Sequence, residues 1–497
     1  MNHTTFLVDL DNVLRSVDIV FQVFVKAAKP HNGLFPSVTE RQNGQPLMDF
    51  PLPAPIPGQR NSDRAPRGCN LTHDLPLLAA LDGLGTTLNR ERYHLLRSNY
   101  LTTFATECAP VSPTGLLPWG EHSYWNLHLR TIGNSYLHQY YESPIDAGLP
   151  THHQLEPMPF RDWQTIHAAN PTVLPRFVDG LDWHWDNEAR TKFNRHAPIT
   201  QLIRGYQVKR SERLSGVPHE QSSGSDFPGA AGCFIHNYAC ALALVDDPRR
   251  QWRDDLMDFC TSWWDRRLPS GLLPKSGGNN ALSWNGASLG MTRSFAACLL
   301  EASDILSGHD QELAQVLEQR GTQLVQSVLD VEQPLLSQGH YVSSFNADGS
   351  PFHMSPPWAG NRGQAITARE VINVLNAAER IGDERGRAMA LAAAEVYKES
   401  FLPRDTIVRA GDPGAVIGLL AECYRLTNDE TWLNVALAHA TEALELFFDA
   451  PLPRMAHGRQ HYEAQQGSSI LVHSLARLVC IGKGYACEGG LARPLVG

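Results

Sequence analysis

A chain of 497 residues, 42% of them hydrophobic, can bury a large core, and a formal charge of −10 argues against general affinity for nucleic acid or for an acidic membrane surface. No apolar run approaches the length of a membrane span, and nine cysteines scattered without C-x-x-C pairs fit a reduced compartment better than a disulfide framework. Met1 to Asp9 lack a basic start and a cleavable apolar core, so a cytoplasmic location is expected.

Apolar residues at helical spacing predict seven pairs of helices, outer then inner. They run over 10–28 with 73–86, 91–107 with 121–140, 171–187 with 226–245, 249–267 with 286–307, 311–330 with 363–381, 384–401 with 413–427 and 430–448 with 467–481. Trp252, Leu256, Phe259 and Trp263 recur at three- and four-residue steps, as do Val371, Val374, Leu375, Ala378 and Ile381. Asn428-Asp429-Glu430 and Asp383-Glu384 supply capping residues where helices begin. Nothing alternates with period two for long enough to form a sheet of consequence. The opening Phe6-Leu7-Val8-Asp9-Leu10-Asp11 resembles the D-x-D start of haloacid-dehalogenase-type phosphatases, but such a fold needs alternating strands and helices, and a capped first helix is the simpler reading.

The connections alternate in kind. Links from inner to outer helices are short and charged, such as Asp246-Asp247-Pro248 and Gly382-Asp383-Glu384, whereas links from outer to inner helices are long, and long loops in compact domains are usually functional. Gly33-Leu34-Phe35-Pro36, Gly115-Leu116-Leu117-Pro118 and Gly271-Leu272-Leu273-Pro274 punctuate them at a recurring spacing, a mark of repeat architecture. The expected fold is therefore all-α: one toroid of helical hairpins over 1–497, (α/α)7 with (α/α)6 as the variant, whose long loops share one end. The active site belongs there.

The long loops carry the chemistry. Trp119, Glu121, His122, Tyr124 and Trp125 stand together; indole faces stack on sugar rings, while Glu, His and Tyr move protons or bind hydroxyls, the alternative being that the tryptophans wedge hairpin against hairpin. Arg195 beside His196, with Tyr206 downstream and His236 and Tyr238 on the next inner helix, suits holding a carboxylate while a neighbouring proton is removed. Asn70, His73 and Asp74 come from the first loop, and Trp284, Trp358, Arg362, Arg404, Arg459, His461 and Tyr462 from later ones. An acidic protein that gathers Arg and His on one rim builds a local anion site, although about half of these arginines are expected to cap helices or bridge loops. Among 21 histidines no H-E-x-x-H or comparable spacing occurs, so no cofactor is expected and a catalytic metal is not favoured.

Gly33 to Pro36, Asn70 to Asp74, Gly115 to Trp125, Phe193 to Ala197 and Ser225-Asp226-Phe227-Pro228 resemble elements of (α/α)-toroid polysaccharide lyases, most of all the glucuronan and alginate lyases of polysaccharide lyase family 38 and related proteins labelled pectate lyases. The resemblance implies β-elimination on an acidic oligo- or polysaccharide: Arg195 or Arg362 would neutralise the carboxylate, His196, His236 and Tyr238 would act as base and acid, and His122 would stand in reserve. Two other readings stay open. One is a glycoside hydrolase built on a carboxyl pair that includes Glu121, with Asp74, Asp226, Asp405 and Asp412 near the same rim; the other is a non-catalytic scaffold that binds glycan or protein.

Overall fold

The computed structural model describes residues 8–49, 51–141, 148–150, 154, 156–184, 227–275 and 286–494. The first helix, α1 (Leu10–Ala27), buries Val13, Val17, Val20, Phe21 and Phe24, one stripe at helical spacing. Asp9 caps it by accepting from Asn12 N at 2.7 Å, and Asp11 pairs with Lys483 on the surface, so the D-x-D start serves the helix. The chain continues through α2 (Leu71–Thr87), α3 (Glu91–Thr103), the short α4 (Ser135–Tyr141), α5 (Phe160–Ala169), α6 (Val173–Gly180), α7 (Pro228–Leu244) and α8 (Arg250–Asp265). It ends with α9 (Leu289–Leu306), α10 (Gln311–Leu329), α11 (Thr367–Arg380), α12 (Arg385–Ala394), α13 (Gly411–Thr427), α14 (Glu430–Phe447) and α15 (Ser468–Gly482).

Two kinds of helix make two layers. In α7 every residue from Pro228 to Ala241 is buried, and α13 and α15 are likewise buried on nearly all sides, whereas α10 and α14 bury one face. The inner wall runs continuously through them: α5 packs on α7, α7 on α9, α9 on α11, α11 on α13, α13 on α15, and α15 on α2. Between α2 and α5 the wall is completed by ion pairs from Arg161 to Asp82 and from Arg97 of the outer α3 to Asp162. Close approach of α13 and α15 needs glycine. Gly467 has φ +81°, and a Cβ there would lie 2.4 Å from Gly411 Cα.

The second hairpin departs from expectation. Residues 121–140 do not form its inner helix: they hold strands β3 (Ser123–Asn126) and β4 (Thr131–Asn134), followed by α4, and the inner partner of α3 is α5. Trp125 and Ile132 pair across the two strands, and Arg130 turns between them at φ 51°. β2 (Gly68–Cys69) adds a third strand beside β3, while β1 (Val38–Glu40) pairs with β7 (His461–Glu463), and β5 (Tyr341–Phe345) with β6 (Pro351–Ser355). All of these strands lie in the long connections.

The long connections meet at one end. β1 and β7 join those after α1 and α14; Arg362 N donates to Pro57 O at 2.9 Å, Phe345 N to Ala287 O at 3.0 Å, and His457 N to Val408 O at 2.9 Å. The opposite end is crossed by the segment 489–494: Gly490 N donates to Asp82 Oδ2 at 3.0 Å, His473 Nε2 to Gly490 O at 3.0 Å and Asn376 Nδ2 to Pro494 O at 3.2 Å. Among the described residues no helix is long and apolar enough to cross a membrane.

Asp74, in the first turn of α2, is wholly buried and accepts from Ser37 Oγ at 2.9 Å and Tyr100 OH at 2.8 Å, both at Oδ2, while Oδ1 has no partner. Burial pushes it up to about 8, against the pull of those two hydroxyls. The folded state therefore holds a proton that the unfolded chain releases, so this group's contribution is fullest below the ordinary carboxylate range and falls as pH rises towards 8. Asp74→Asn is expected to stabilise the protein at pH 8 by roughly 1–3 kcal/mol and to change little at pH 4. Thermal midpoints of both proteins across that range check it.

Candidate active site

The first long connection turns through Asn61–Asp63, a single 3-10 turn that directs the Asp63 carboxylate inward. This carboxylate has no exposed surface and gathers four donors: Arg362 Nη1 at 2.6 Å, Arg60 Nε at 3.0 Å, Ser62 Oγ at 3.0 Å and His122 Nδ1 at 3.2 Å. Its value lies below the usual carboxylate range: burial raises it, and the His122 hydrogen bond with the His122 and Arg362 charges more than offsets that. Three separate connections thus converge on one side chain. Gly58, at φ +79°, permits the approach, because a Cβ there would meet Arg362 O at 2.4 Å.

His122 Nδ1 also lies 3.0 Å from Ser62 O, which fixes the proton on Nδ1 and turns Nε2 towards Glu121 Oε2 at 3.6 Å. Glu121 pairs with Arg60 and lies nearer solvent than His122, its side chain 19% exposed against 1%. Asn70 holds the backbone beneath it: Asn70 Nδ2 donates to Gly120 O at 2.6 Å, and Gly120 N donates back to Asn70 Oδ1 at 3.2 Å. Asp63, His122 and Glu121 offer one ligand atom each within 4.8 Å of one another, a set that could hold a metal ion. Arg60 and Arg362 already supply positive charge to those carboxylates.

His73 enters from the first turn of α2. It is half-buried, and among the described residues its ring has no hydrogen-bond or ion-pair partner. Burial brings it down to about 4, helped by the Arg362 charge and opposed by Glu463, Asp63 and Glu121, so the imidazole is neutral at pH 7. Arg362 uses one amino group on Asp63, and among the described residues its guanidinium makes no other hydrogen bond.

A second carboxylate locks the rim. Glu463 is buried and takes both arms of Arg64, Nε to Oε1 at 2.9 Å and Nη2 to Oε2 at 2.8 Å, with Gln59 Nε2 donating to Oε1 at 2.9 Å. Burial raises it, but Arg64 and His461 hold it at about 2.

Of the residues singled out in the sequence, the structure brings His73, Glu121, His122 and Arg362 together, with Asn70 supporting them. His461 stands 3.3 Å from Glu463 in the clasp, and Arg459 donates to Pro55 O at 3.2 Å. Trp119 packs edge-on against Trp163 and Phe177 in the core, Tyr124 lies against Gly68 and Gly133, and Tyr462 is buried beside Phe24, so these rings wedge the fold. His236 and Tyr238 are in the wall: His236 Nε2 is 3.4 Å from Glu301, and Tyr238 stacks on Phe259 of α8, neither joining the cluster. Trp358 donates to Ser400 Oγ at 3.1 Å and Arg404 pairs with Glu442, both at the periphery. Arg195, His196, Tyr206 and Trp284 lie outside the described residues. Asp63 and Arg60 were not anticipated; only their place just after the proline-rich 51–57 stretch could have drawn notice.

No protein-family model and no curated protein matches the sequence. Among solved structures, an α-1,2-mannosidase from Trichoderma reesei superposes with a TM-score of 0.51 at 10% identity, over 95% of this chain and 93% of that one. A D-mannose isomerase gives 0.48 at 8% identity, over 94% and 97%, and a sugar epimerase from a ruminal bacterium gives 0.44 at 9%, over 96% and 99%. The likeness to the mannosidase is one of fold.

Because the Arg362 charge helps to lower His73, Arg362→Ala should move the His73 titration upward from about 4, yet leave it below the ordinary histidine value because burial remains. Histidine-resolved NMR across pH 3–8 reads this directly, and an unmoved titration would separate the two groups.

Proposed function

We propose that the protein is a carbohydrate-active enzyme of the (α/α)-barrel type, and more finely a lyase that cleaves a uronate-containing polysaccharide by β-elimination. The observation that carries the reading is an imidazole, His73, that burial and the charge of Arg362 keep neutral and that has no partner among the described residues, together with the Arg362 guanidinium, which retains an edge for a carboxylate. A carbon next to a carboxylate becomes acidic when that carboxylate's charge is neutralised, and a neutral imidazole accepts its proton. Arg362 would hold the uronate carboxylate and stabilise the charge that builds on it. His73 would take the C5 proton, and a water molecule beside the partly exposed Glu121 would give a proton to the departing O4 as the C4–O4 bond breaks and the C4–C5 double bond forms. Asp63 and His122 act as positioning residues, the first for Arg362 and the second for Glu121. The inner helices begin at this end, so their N-terminal dipoles add favourable potential for an anionic substrate.

A glycoside hydrolase is the second reading, favoured by Glu121 as a partly exposed carboxylate beside Asp63. Asp63, however, is enclosed by four donors, which leaves it poorly placed to attack a sugar or activate water.

Incubation with a panel of polyuronates should yield the ultraviolet-absorbing unsaturated product. His73→Ala should lower its rate about 10²–10⁴-fold, and Arg362→Ala should remove about 2–4 kcal/mol of transition-state stabilisation. Saturated reducing ends in every product, abolished by Glu121→Gln, would overturn elimination in favour of hydrolysis.

A further inference from the structure

Below the rim, between α9 and α11, lies a cavity of about 230 Å³ that shares none of the rim residues. It runs from Arg293, in the second turn of α9, to Arg380 at the end of α11 and to Pro494, so its mouth is at the short-connection end. The stretch around Glu156 forms one side, fixed inside the ring where Asn237 Nδ2 donates to Gln154 Oε1 at 2.8 Å.

The charges here do not cancel. Glu156 is 3.7 Å from Arg369, Arg380 is paired with both Asp304 and Glu318, and Glu301 is 3.4 Å from His236, whose imidazole burial keeps neutral. Arg293 remains. Its Nε is buried without a hydrogen-bond partner, and among the described residues no carboxylate lies within ion-pair distance of its guanidinium. A buried guanidinium N–H without an acceptor is costly, and such groups in native proteins are met by water, an ion or a ligand. A planar fork of donors matches a carboxylate. Asn373 and Glu301 on the same wall offer partners for hydroxyls, and Asn376 Oδ1 is a second buried atom with no partner.

We propose that this cavity is a second binding site, taking a monosaccharide-sized sugar acid whose carboxylate sits on Arg293 and whose hydroxyls meet Asn373 and Glu301. The site does not depend on elimination at the rim. Since it is lined by α9, α11 and the 489–494 segment, its occupation braces the far end of the barrel.

The test uses D-glucuronate and, as the neutral control, D-glucose, with the full chain carrying Arg362→Ala so that the proposed rim clamp is absent. Glucuronate should still raise the thermal midpoint and titrate calorimetrically to one site per chain, and glucose should do neither. Adding Arg293→Met, or Ala297→Phe, which fills the cavity from α9 should the first variant fold poorly, is expected to weaken glucuronate binding about tenfold or more. Absence of glucuronate binding in the Arg362→Ala protein, or binding unchanged by both added substitutions, overturns the proposal. Turnover of polyuronate is measured separately, so failure of the rim chemistry and failure of this site remain distinguishable.

Discussion

Buried carboxylates held by guanidiniums from distant parts of the chain fasten the rim on which the site depends. Arg64 and Glu463 stand 399 positions apart, Asp63 and Arg362 299 apart, and each pair is largely or wholly removed from water. Stacked helical hairpins account for the walls, but they do not dictate how long loops at one end settle against each other. An ion pair taken out of water is weak evidence for net stability, yet removing one partner costs about 3–5 kcal/mol because the other is left charged and buried. That asymmetry makes the pairs effective selectors of one loop arrangement. Gln59 and Gln465 extend the selection, the first donating to Glu463 and the second to Asp63 O at 2.7 Å.

The same junction sets the chemistry. Asp63 does two things at once: it anchors Arg362 by one amino group, leaving the remainder available, and it orders His122 through Nδ1 so that Nε2 faces Glu121. His73 differs from its neighbours in having no partner among the described residues, and its neutrality follows from burial, helped by the Arg362 charge. For the proposed elimination, such a site would offer a neutral base and a fixed cation with an open edge.

Much of the fold was legible in the sequence, because inner and outer helices leave distinct patterns: α10 and α14 show a single apolar stripe, and short charged links alternate with long ones. The segment after Trp119 misled because its aromatic residues fit helical spacing, whereas the turn at Arg130 and the glycines Gly68 and Gly133, which let β2, β4 and the Tyr124 ring pack closely, act through tertiary contacts. His236 and Tyr238 show the opposite limit. A helix buried on every side carries no amphipathic signal to say which face meets the lumen, and α7 turns Tyr238 outward to Phe259. Glu121, His122, Arg362 and His73 were visible as residue types on the right loops. Asp63 was not, since its importance lies in which loops meet over it.

The most direct measurement is a crystal structure of the His73→Ala protein soaked with a uronate oligosaccharide. The account predicts a sugar carboxylate on the open edge of Arg362, with the C5 carbon facing the space left by His73 and the glycosidic oxygen towards Glu121. An oligosaccharide bound elsewhere on the barrel, or bound at the rim with its carboxylate away from Arg362, would contradict it.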